Sequence, residues 1–382
     1  MIPTYERREH VRRAVESVLA QTLSDFEIIV VDDGSTDGTE DALAGLDVRL
    51  RCHRQPNRGV SSARNAGIRL ARAGVVAFLD SDNRWLPNHL SLLTEMLSSH
   101  PEAVAASTCP HFRLKGREPV GMARVVDLLP TLTFGTTVGF ISCVAVRRNA
   151  LLAVGCFNEE LPVWEDSDLF LRLAMLGPFC VLGHRTLIHQ KTADGARARG
   201  IRAGRYFDAM ELSADSAEPT LLGLDRPDAH RLLDSLRANR FLVRGMRAAV
   251  ERDHEAAASM LQQACRLHPD LSRRPGIVLS VLRHGLADGR SLQDALEATA
   301  LAWPDADSDT ARFLAMCAGA LALRTGRLRD AASWFVRSNV LLRPSLLIRT
   351  RRQIERLARE SLTALGVAAA ARIPVGDVDA RG

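Results

Sequence analysis

Short apolar runs alternate with amphipathic stretches over residues 1–200 of the chain. Val11, Val15 and Val18 recur at helical spacing and predict a helix over 10–20. The run 26–31 is apolar and β-branched, as in a buried strand. The same criteria predict helices over 39–46, 61–73 and 167–176, a strand over 75–79 and a strand pair over 135–146. Because strands alternating with helices build a mostly parallel sheet, we expect an α/β domain.

Strand-like patterns stop near residue 205, and the rest of the chain is rich in Ala, Leu and Arg at helical spacing. Two segments, which begin at Phe241 and Phe313, echo each other: each has small residues where two helices would cross and a proline after the second helix. The echo resembles tetratricopeptide-type hairpins, with 275–305 as a degenerate third copy; a plain helical bundle is the alternative. We therefore expect an α/β domain over 1–204 and an all-α, helical-repeat-like domain over 205–382.

Composition narrows the class of protein. Apolar residues make up 46% and charged residues 25%, an ordinary balance for a globular protein. No apolar stretch reaches the roughly 18 residues of a membrane span. The seven cysteines are scattered without a Cys-x-x-Cys pair, which predicts reduced thiols, a cytoplasmic location and no zinc site. With only 5% aromatic residues and no recognised motif, the net charge of +5 does not indicate nucleic-acid binding.

Positive charge is concentrated near the C-terminus. Six arginines lie between Arg343 and Arg359, against the single acid Glu355. This basic stretch is either a solvated helix face or a contact with an anionic membrane surface or an anionic acceptor.

Carboxylates follow two of the predicted strands and open one predicted helix. Asp80-Ser81-Asp82 ends the apolar run 75–79, where ligands bind in open α/β sheets. Mg²⁺-type ions are held by one or two carboxylates plus substrate phosphates, so this motif predicts a metal-diphosphate site; a turn or a helix cap is the alternative. Asp32-Asp33-Gly34-Ser35 follows the strand 26–31 and could be turn chemistry. Glu165-Asp166 precedes Ser167, and Asp166 could simply cap a helix.

Taken in order, six segments resemble the inverting glycosyltransferases of family 2. They are Pro3-Thr4-Tyr5, Val15 to Thr22, Phe26 to Asp37, Asn57 to Gly67, Phe78 to Asp82 and Trp164 to Leu169. The resemblance covers about residues 1–195. It implies the GT-A fold of nucleotide-diphospho-sugar transferases and a nucleotide-sugar donor.

The resemblance also implies roles for single residues. Pro3 and Tyr5 would lie beside the base and ribose, and Asp33 would accept a hydrogen bond from the base, which favours a uridine nucleotide. Arg64 and Asn65 would help to seat the nucleotide, with Asp80 and Ser81 near the ribose. Asp82 would hold Mn²⁺ or Mg²⁺ against the diphosphate, and Asp166 would be the general base. A dication that stabilises the leaving diphosphate, with one base at the acceptor, implies inversion at the anomeric carbon.

Departures from the family pattern qualify these expectations. Members usually have several more apolar residues before Ile2, so either the start is placed too late or the first strand is shortened. Glu6 stands where Asn is common, Asn83 where a third acid is common and Cys156 where Gly is common. The family's late polar motif, which often has an Arg or His facing the diphosphate, is blurred over 187–195; His189, Gln190 and Lys191 are candidates, with a surface loop favoured.

Two hypotheses remain. The first is a metal-dependent glycosyltransferase that uses a nucleotide-sugar donor, with UDP favoured, and a glycan, lipid-linked, peptide or small-molecule acceptor. Its helical domain would dock the acceptor or form a homodimer, and Arg343–Arg359 would allow peripheral contact with the inner face of a membrane. The alternative is a helical-repeat interaction protein with a catalytically inactive transferase domain.

Overall fold

The computed structural model describes residues 1–108, 122–133, 139–190, 205–273, 292–305, 308–324 and 337. The chain divides into two compact units. The first comprises Met1–Gly200 with Leu212–Leu233, and the second comprises Ile201–Glu211 with Asp234–Gly382. No helix in the described ranges is both long and apolar enough to cross a membrane.

The first unit alternates strands and helices, as its hydrophobic pattern predicts. Its strands are β1 (Ile2–Thr4), β2 (Ile28–Asp32), β3 (Leu50–Arg54), β4 (Val75–Ala77), β5 (Arg84–Trp85), β6 (Ala105–Thr108), β7 (Ala123–Val126), β8 (Val144–Arg147), β9 (Phe179–Leu182) and β10 (Leu187–Ile188). Its helices are α1 (Arg8–Leu19), α2 (Thr39–Leu43), α3 (Val60–Leu70), α4 (His89–Ser99), α5 (Leu129–Leu132), α6 (Arg148–Ala153) and α7 (Glu165–Leu176). The mixed α/β class is therefore confirmed.

The strands form a parallel sheet, a mixed sheet and an antiparallel pair of β5 with β10, and Met1 joins the first two sheets. The order β1-β2-β3 is parallel throughout, and β4-β8-β6-β9-β7 contains one parallel pair, β6 with β9. The Met1 amine donates to the Ala77 carbonyl at 2.7 Å, and the Leu79 amide donates to the Met1 carbonyl at 3.1 Å. This is the pattern of parallel strands, so β1, β2 and β4 end at one edge of the sheet.

Apolar side chains from α1, β2 and the end of β4 form one core around β1. Val11, Ala14, Val15 and Val18 on α1 are buried, and they cluster with residues that include Ile2, Ile28, Val30 and Leu79. The helical spacing seen in the sequence is therefore the face that packs on the strands. A second cluster joins Leu93, Met96 and Leu97 of α4 to strands β6, β8 and β9.

Two strand expectations differ from the structure. In place of a strand pair over 135–146, the described part has a 3-10 turn, Ile141–Cys143, followed by the single strand β8. The turn directs Ser142 toward the end of β4, where its hydroxyl accepts a hydrogen bond from the Asp80 amide at 3.0 Å. Strand β3 was not predicted, because it is a polar sheet edge with exposed Cys52, His53 and Arg54 rather than an apolar run.

The second unit is helical wherever it is described. A helix that begins in this unit, α8 (Arg205–Leu222), is followed by α9 (Ala229–Val250), α10 (His254–Leu267), a 3-10 turn (Pro269–Arg273), α11 (Leu292–Ala302) and α12 (Asp309–Arg324). Asp253 caps α10 by accepting a hydrogen bond from the Ala256 amide at 3.0 Å. The basic stretch Arg343–Arg359 and most of the second echo segment lie outside the described residues, so the tetratricopeptide-type interpretation stays a prediction.

Helices α9 and α10 cross closely at Gly245, one of the small residues in the first echo segment. A Cβ atom built on Gly245 would lie 2.8 Å from Cγ and 3.1 Å from the backbone N of Leu261. The distance to Cγ is shorter than real Cβ atoms show, and the distance to the backbone nitrogen is tight, with a partner that cannot easily move away. The glycine is therefore what permits this approach of the two helices.

We expect Gly245→Ala to destabilise the helical unit. Alanine would gain about 1 kcal/mol of helix propensity, but overpacking against Leu261 costs typically 1–3 kcal/mol, so the net effect should be a lower melting temperature. Thermal denaturation followed by circular dichroism measures this. Gly223→Ala is the control, because its Cβ would meet only ordinary contacts at 3.6 Å and beyond. Equal melting temperatures for wild type and G245A would contradict the close crossing.

Candidate active site

The edge of the sheet where β1, β2 and β4 end, together with the first turn of α7, carries the predicted acids. Asp33 follows β2, Asp80 and Asp82 follow β4, and Asp166 lies in the first turn of α7. Because parallel strands end at one edge, the fold brings carboxylates from distant parts of the sequence to one region.

Asp33 is buried and holds the loop that leads into α3. Its Oδ1 accepts hydrogen bonds from Gln55 Nε2 at 2.8 Å and the Arg58 amide at 3.0 Å, and its Oδ2 accepts one from the Gly59 amide at 2.8 Å. A carboxylate oxygen has two lone pairs, so Oδ2 retains capacity for one further donor. The predicted contact with a nucleotide base stays a prediction.

Pro3 and Tyr5 lie on either side of Thr4, a residue that is hydrogen-bonded to Asp33. The Asp33 amide donates to the Thr4 carbonyl at 2.9 Å, which fixes the ends of β1 and β2 together. Pro3 is buried within β1, whereas the ring of Tyr5, directly after the strand, is 48% exposed. An exposed aromatic side chain is suited to stacking against a base, and the predicted contact of Pro3 and Tyr5 with the base and ribose stays a prediction.

Arg64 on α3 connects the end of β4 to the start of α7. Its guanidinium is buried and pairs with Asp80 at 2.9 Å and with Glu165 at 2.8 Å. It also lies over the ring of Phe157, 5.1 Å from the centroid. The two partners lie 16 and 101 residues away in sequence, so this one side chain fixes the relative position of two acidic motifs.

Asn65 fastens the loop that precedes α7. Its amide N–H groups donate to the Phe157 carbonyl at 2.9 Å and to Glu159 Oε1 at 2.8 Å, and its Oδ1 accepts from the Phe157 amide at 2.9 Å. Both N–H groups are thus used within the protein. The predicted part of Asn65 in seating the nucleotide stays a prediction.

The turn Asp80-Ser81-Asp82 is held from two sides. Asp80 is anchored through Arg64 and Ser142, and Ser81 is buried. Asp82 Oδ2 accepts a hydrogen bond from Nη1 of Arg7 at 2.6 Å. The carboxylate of Asp82 is therefore already paired with a cation supplied by the residue just before α1.

Metal ligands are few at this turn. Among the described residues, no group of three or more His, Cys, Asp or Glu side chains is arranged to hold a metal ion. One carboxylate completed by donor phosphates is nevertheless a normal environment for Mg²⁺ or Mn²⁺, so the donor set fits such an ion through Asp82.

His189 lies beside the aspartate turn although it is exposed. Its Nδ1 is 2.9 Å from Oδ1 of Asn83, and its ring stacks on Phe140 at a centroid distance of 4.6 Å. A plain surface loop was the favoured interpretation of this segment, and the exposure of His189 agrees with it, although its ring also contacts Asn83 and Phe140. The signal in the sequence was the position of His189 in the family's late polar motif.

Asp166 carries the clearest electrostatic signature. Burial, and after it the charge of Glu165, raise the pKa of Asp166 to about 7, against the opposing effect of Arg64. The helix it opens follows Trp164, whose φ of 70° is left-handed, and the Ser167 amide donates to Asp166 Oδ1 at 2.7 Å. A carboxylate with a pKa near neutrality can accept a proton efficiently from a bound hydroxyl group.

Part of the chain is similar in sequence to known proteins. The family described as Glycosyl transferase family 2 matches residues 1–151. The succinoglycan biosynthesis protein ExoO of Rhizobium meliloti is 30% identical over 263 residues, which cover 64% of this chain and 75% of that protein. The succinoglycan biosynthesis protein ExoW of the same organism is 46% identical over 97 residues, 24% of this chain. The chain spans only 30% of the length of ExoW.

Solved structures share the fold. The crystal structure of S. aureus TarS residues 1–349 aligns with a TM-score of 0.53 at 19% identity and covers 78% of this chain and 88% of that one. TarS 1–349 in complex with UDP-GlcNAc aligns with a TM-score of 0.51 at 16% identity, over 87% of this chain and 89% of that one. At such identities the likeness concerns the fold.

The raised pKa of Asp166 has a consequence for stability. The Asp166 carboxyl should contribute a loss of stability as pH rises from about 4 to 7, because the folded state favours its protonated form while the unfolded chain does not. Asp166→Asn removes this penalty, so it should stabilise the protein by about 1–2 kcal/mol at pH 8 and by nothing measurable near pH 4. Urea denaturation at both pH values tests this.

The matched control is Asp25→Asn, at an exposed aspartate in a loop. It should leave the difference between the two pH values unchanged. An Asp166→Asn protein that is less stable than wild type at pH 8, or equally stabilised at both pH values, would contradict the assignment.

Proposed function

Because the chain belongs to family 2 of the glycosyl transferases, we propose that it moves a sugar from a UDP-sugar donor to a hydroxyl group of a glycan. The observation that carries the proposal is Asp166, whose pKa is raised to about 7 at the ligand-binding edge of the sheet. A general base works best with a pKa near the operating pH, and the value for Asp166 meets that requirement.

Asp166 is proposed as the base that takes the proton of the acceptor hydroxyl. Glu165 and Asp80 raise its pKa, and both of these acids are themselves fixed by Arg64. The ion pairs of Arg64 with Asp80 and Glu165 therefore both fix the surroundings of Asp166 and influence its pKa. A single base on the acceptor side implies direct attack on the anomeric carbon and inversion of its configuration.

The leaving diphosphate is proposed to be met at Asp82. A bound Mg²⁺ or Mn²⁺ would supply Lewis-acid stabilisation of the charge that develops on the diphosphate. Asp82 provides the carboxylate, and His189 is anchored by Asn83 immediately beyond it. Asp80 orients the turn through Arg64 and Ser142.

Uridine is the proposed base of the donor. Asp33 offers an acceptor at Oδ2 beside the exposed ring of Tyr5, and a uracil N3–H is a matching donor. TarS, which shares the fold, crystallises in complex with UDP-GlcNAc and with UDP. These two facts favour UDP over other nucleotides.

A glycan is the proposed acceptor. ExoO and ExoW are named for biosynthesis of succinoglycan, a polysaccharide, and ExoO aligns along most of its length. A lipid-linked, peptide or small-molecule acceptor stays an alternative, as do the homodimer and the membrane contact through Arg343–Arg359. Once the donor has been identified, a screen of acceptors tests these alternatives.

Two substitutions separate donor binding from chemistry. Asp82→Ala should lose Mn²⁺-dependent binding of UDP, measured by calorimetry, because the only carboxylate proposed for the ion is gone. Asp166→Asn should retain UDP binding but lower the rate of donor turnover, measured as UDP release, by about 10²–10⁴-fold. Asp25→Asn should match wild type in both assays.

Three results would count against the proposal. Full turnover by Asp166→Asn would remove the base assignment, and Mn²⁺-dependent binding retained by Asp82→Ala would remove the metal assignment. A well-folded wild-type protein that binds no nucleotide sugar from a panel would favour the alternative of an inactive transferase domain that serves as an interaction protein.

The activity should depend on pH through Asp166. Since the base must be ionised, kcat/KM should fall about tenfold for each pH unit below roughly pH 7. Glu165→Gln removes a charge that raises the pKa of Asp166, and it also releases Arg64 from one partner. The pH below which kcat/KM falls should therefore move down by about one unit. If the pH below which kcat/KM falls is unchanged or higher in Glu165→Gln, this electrostatic account is contradicted.

A further inference from the structure

The proposed chemistry gives no role to Arg7. This arginine forms an ion pair with Asp82, the proposed metal-binding carboxylate. Nη1 of Arg7 lies 2.6 Å from Oδ2 of Asp82, across 75 residues of sequence. Both side chains are mostly buried, with 25% of Arg7 and 14% of Asp82 exposed. Such an ion pair differs from the exposed pairs on α1, such as Arg12 with Glu16.

The backbone around Arg7 is fixed so that the side chain faces the site. Glu6 has a φ of 50°, a left-handed conformation that is strained for a non-glycine residue. Its Oε1 accepts hydrogen bonds from the amide and the hydroxyl of Thr36, and its own amide donates to the Ser35 hydroxyl. On the other side, the Arg8 amide donates to Asp37 Oδ2 at 2.8 Å. The loop after β2 therefore holds the chain before and after Arg7.

The guanidinium group of Arg7 is suited to bind either the Asp82 carboxylate or a donor phosphate at this place. Its planar N–H donors match carboxylate and phosphate equally well. A dication that binds Asp82 must compete with the guanidinium for the same carboxylate. A donor diphosphate that arrives beside Asp82 offers the guanidinium a second anion within reach.

We propose that Arg7 is a diphosphate-binding residue that pairs with Asp82 in the absence of donor and passes to the donor's phosphates when they arrive. The inference rests on the proposed function. It makes the binding of metal and nucleotide interdependent, because Arg7 opposes a cation that binds alone and favours one that arrives with a diphosphate. The nucleoside itself is not involved.

The test uses the full chain and binding rather than turnover. Wild type, Arg7→Gln and the control Arg12→Gln, which loses the same charge from an exposed position, are titrated with Mn²⁺ alone by electron paramagnetic resonance. UDP with Mn²⁺ and uridine alone are then titrated by calorimetry. In Arg7→Gln we expect Mn²⁺ alone to bind about tenfold more tightly and UDP about tenfold more weakly, with uridine unchanged. The control should match wild type in all three titrations.

The outcomes separate this inference from the proposed function. If Arg7→Gln binds UDP as wild type does, or loses affinity for uridine and UDP equally, Arg7 is not a diphosphate ligand although the proposed function stands. If wild type binds no nucleoside diphosphate, both the inference about Arg7 and the proposed function are contradicted. Should Arg7→Gln not fold, Arg7→Lys replaces it, since a lysine keeps the charge but loses the planar fork. We then expect UDP binding about threefold weaker with uridine unchanged, and wild-type affinity for UDP would overturn the proposal.

Discussion

The buried guanidinium of Arg64 is the contact on which the candidate site depends. It pairs with Asp80 at the end of β4 and with Glu165 at the start of α7, so it joins two segments that the sheet alone would not hold together. Loss of one partner from a buried ion pair leaves an uncompensated charge, which is far more costly than the pair is stabilising. The position of Asp166, next to Glu165, is therefore set by an electrostatic requirement as much as by packing.

The same cation sets the chemistry of Asp166. Burial and two neighbouring acids would make its carboxyl group a poor acid, and Arg64 partly offsets them. The resulting pKa near 7 is a balance between opposing effects, each of which comes from a residue with a structural contact of its own. The residues that set the pKa of Asp166 are thus the same residues that hold the site together.

The apolar pattern was sufficient to predict β2 and β4, two of the strands that end at the site, because buried runs such as 28–32 are visible locally. It could not predict the polar edge strand β3 or the partners of the acids, since Arg7 and Glu165 act across 75 and 101 residues. Two departures from the family pattern gain a physical meaning only in the structure. Glu6 and Cys156 both have positive φ, the conformation that Asn and Gly tolerate best, so these positions hold backbone strain that the residue types alone do not explain.

Charge balance connects these features to the donor. Asp80, Asp82, Glu165 and Asp166 bring four carboxyl groups to the region, while Arg7 and Arg64 supply two cations. With Asp166 ionised the acids are in excess, and a diphosphate that entered alone would be repelled. Among the described residues, Arg64 is already paired with Asp80 and Glu165, and Arg7 is paired with Asp82. Under the proposed function, a cation that enters with the diphosphate would offset this excess of negative charge, and Asp82 would provide its carboxylate.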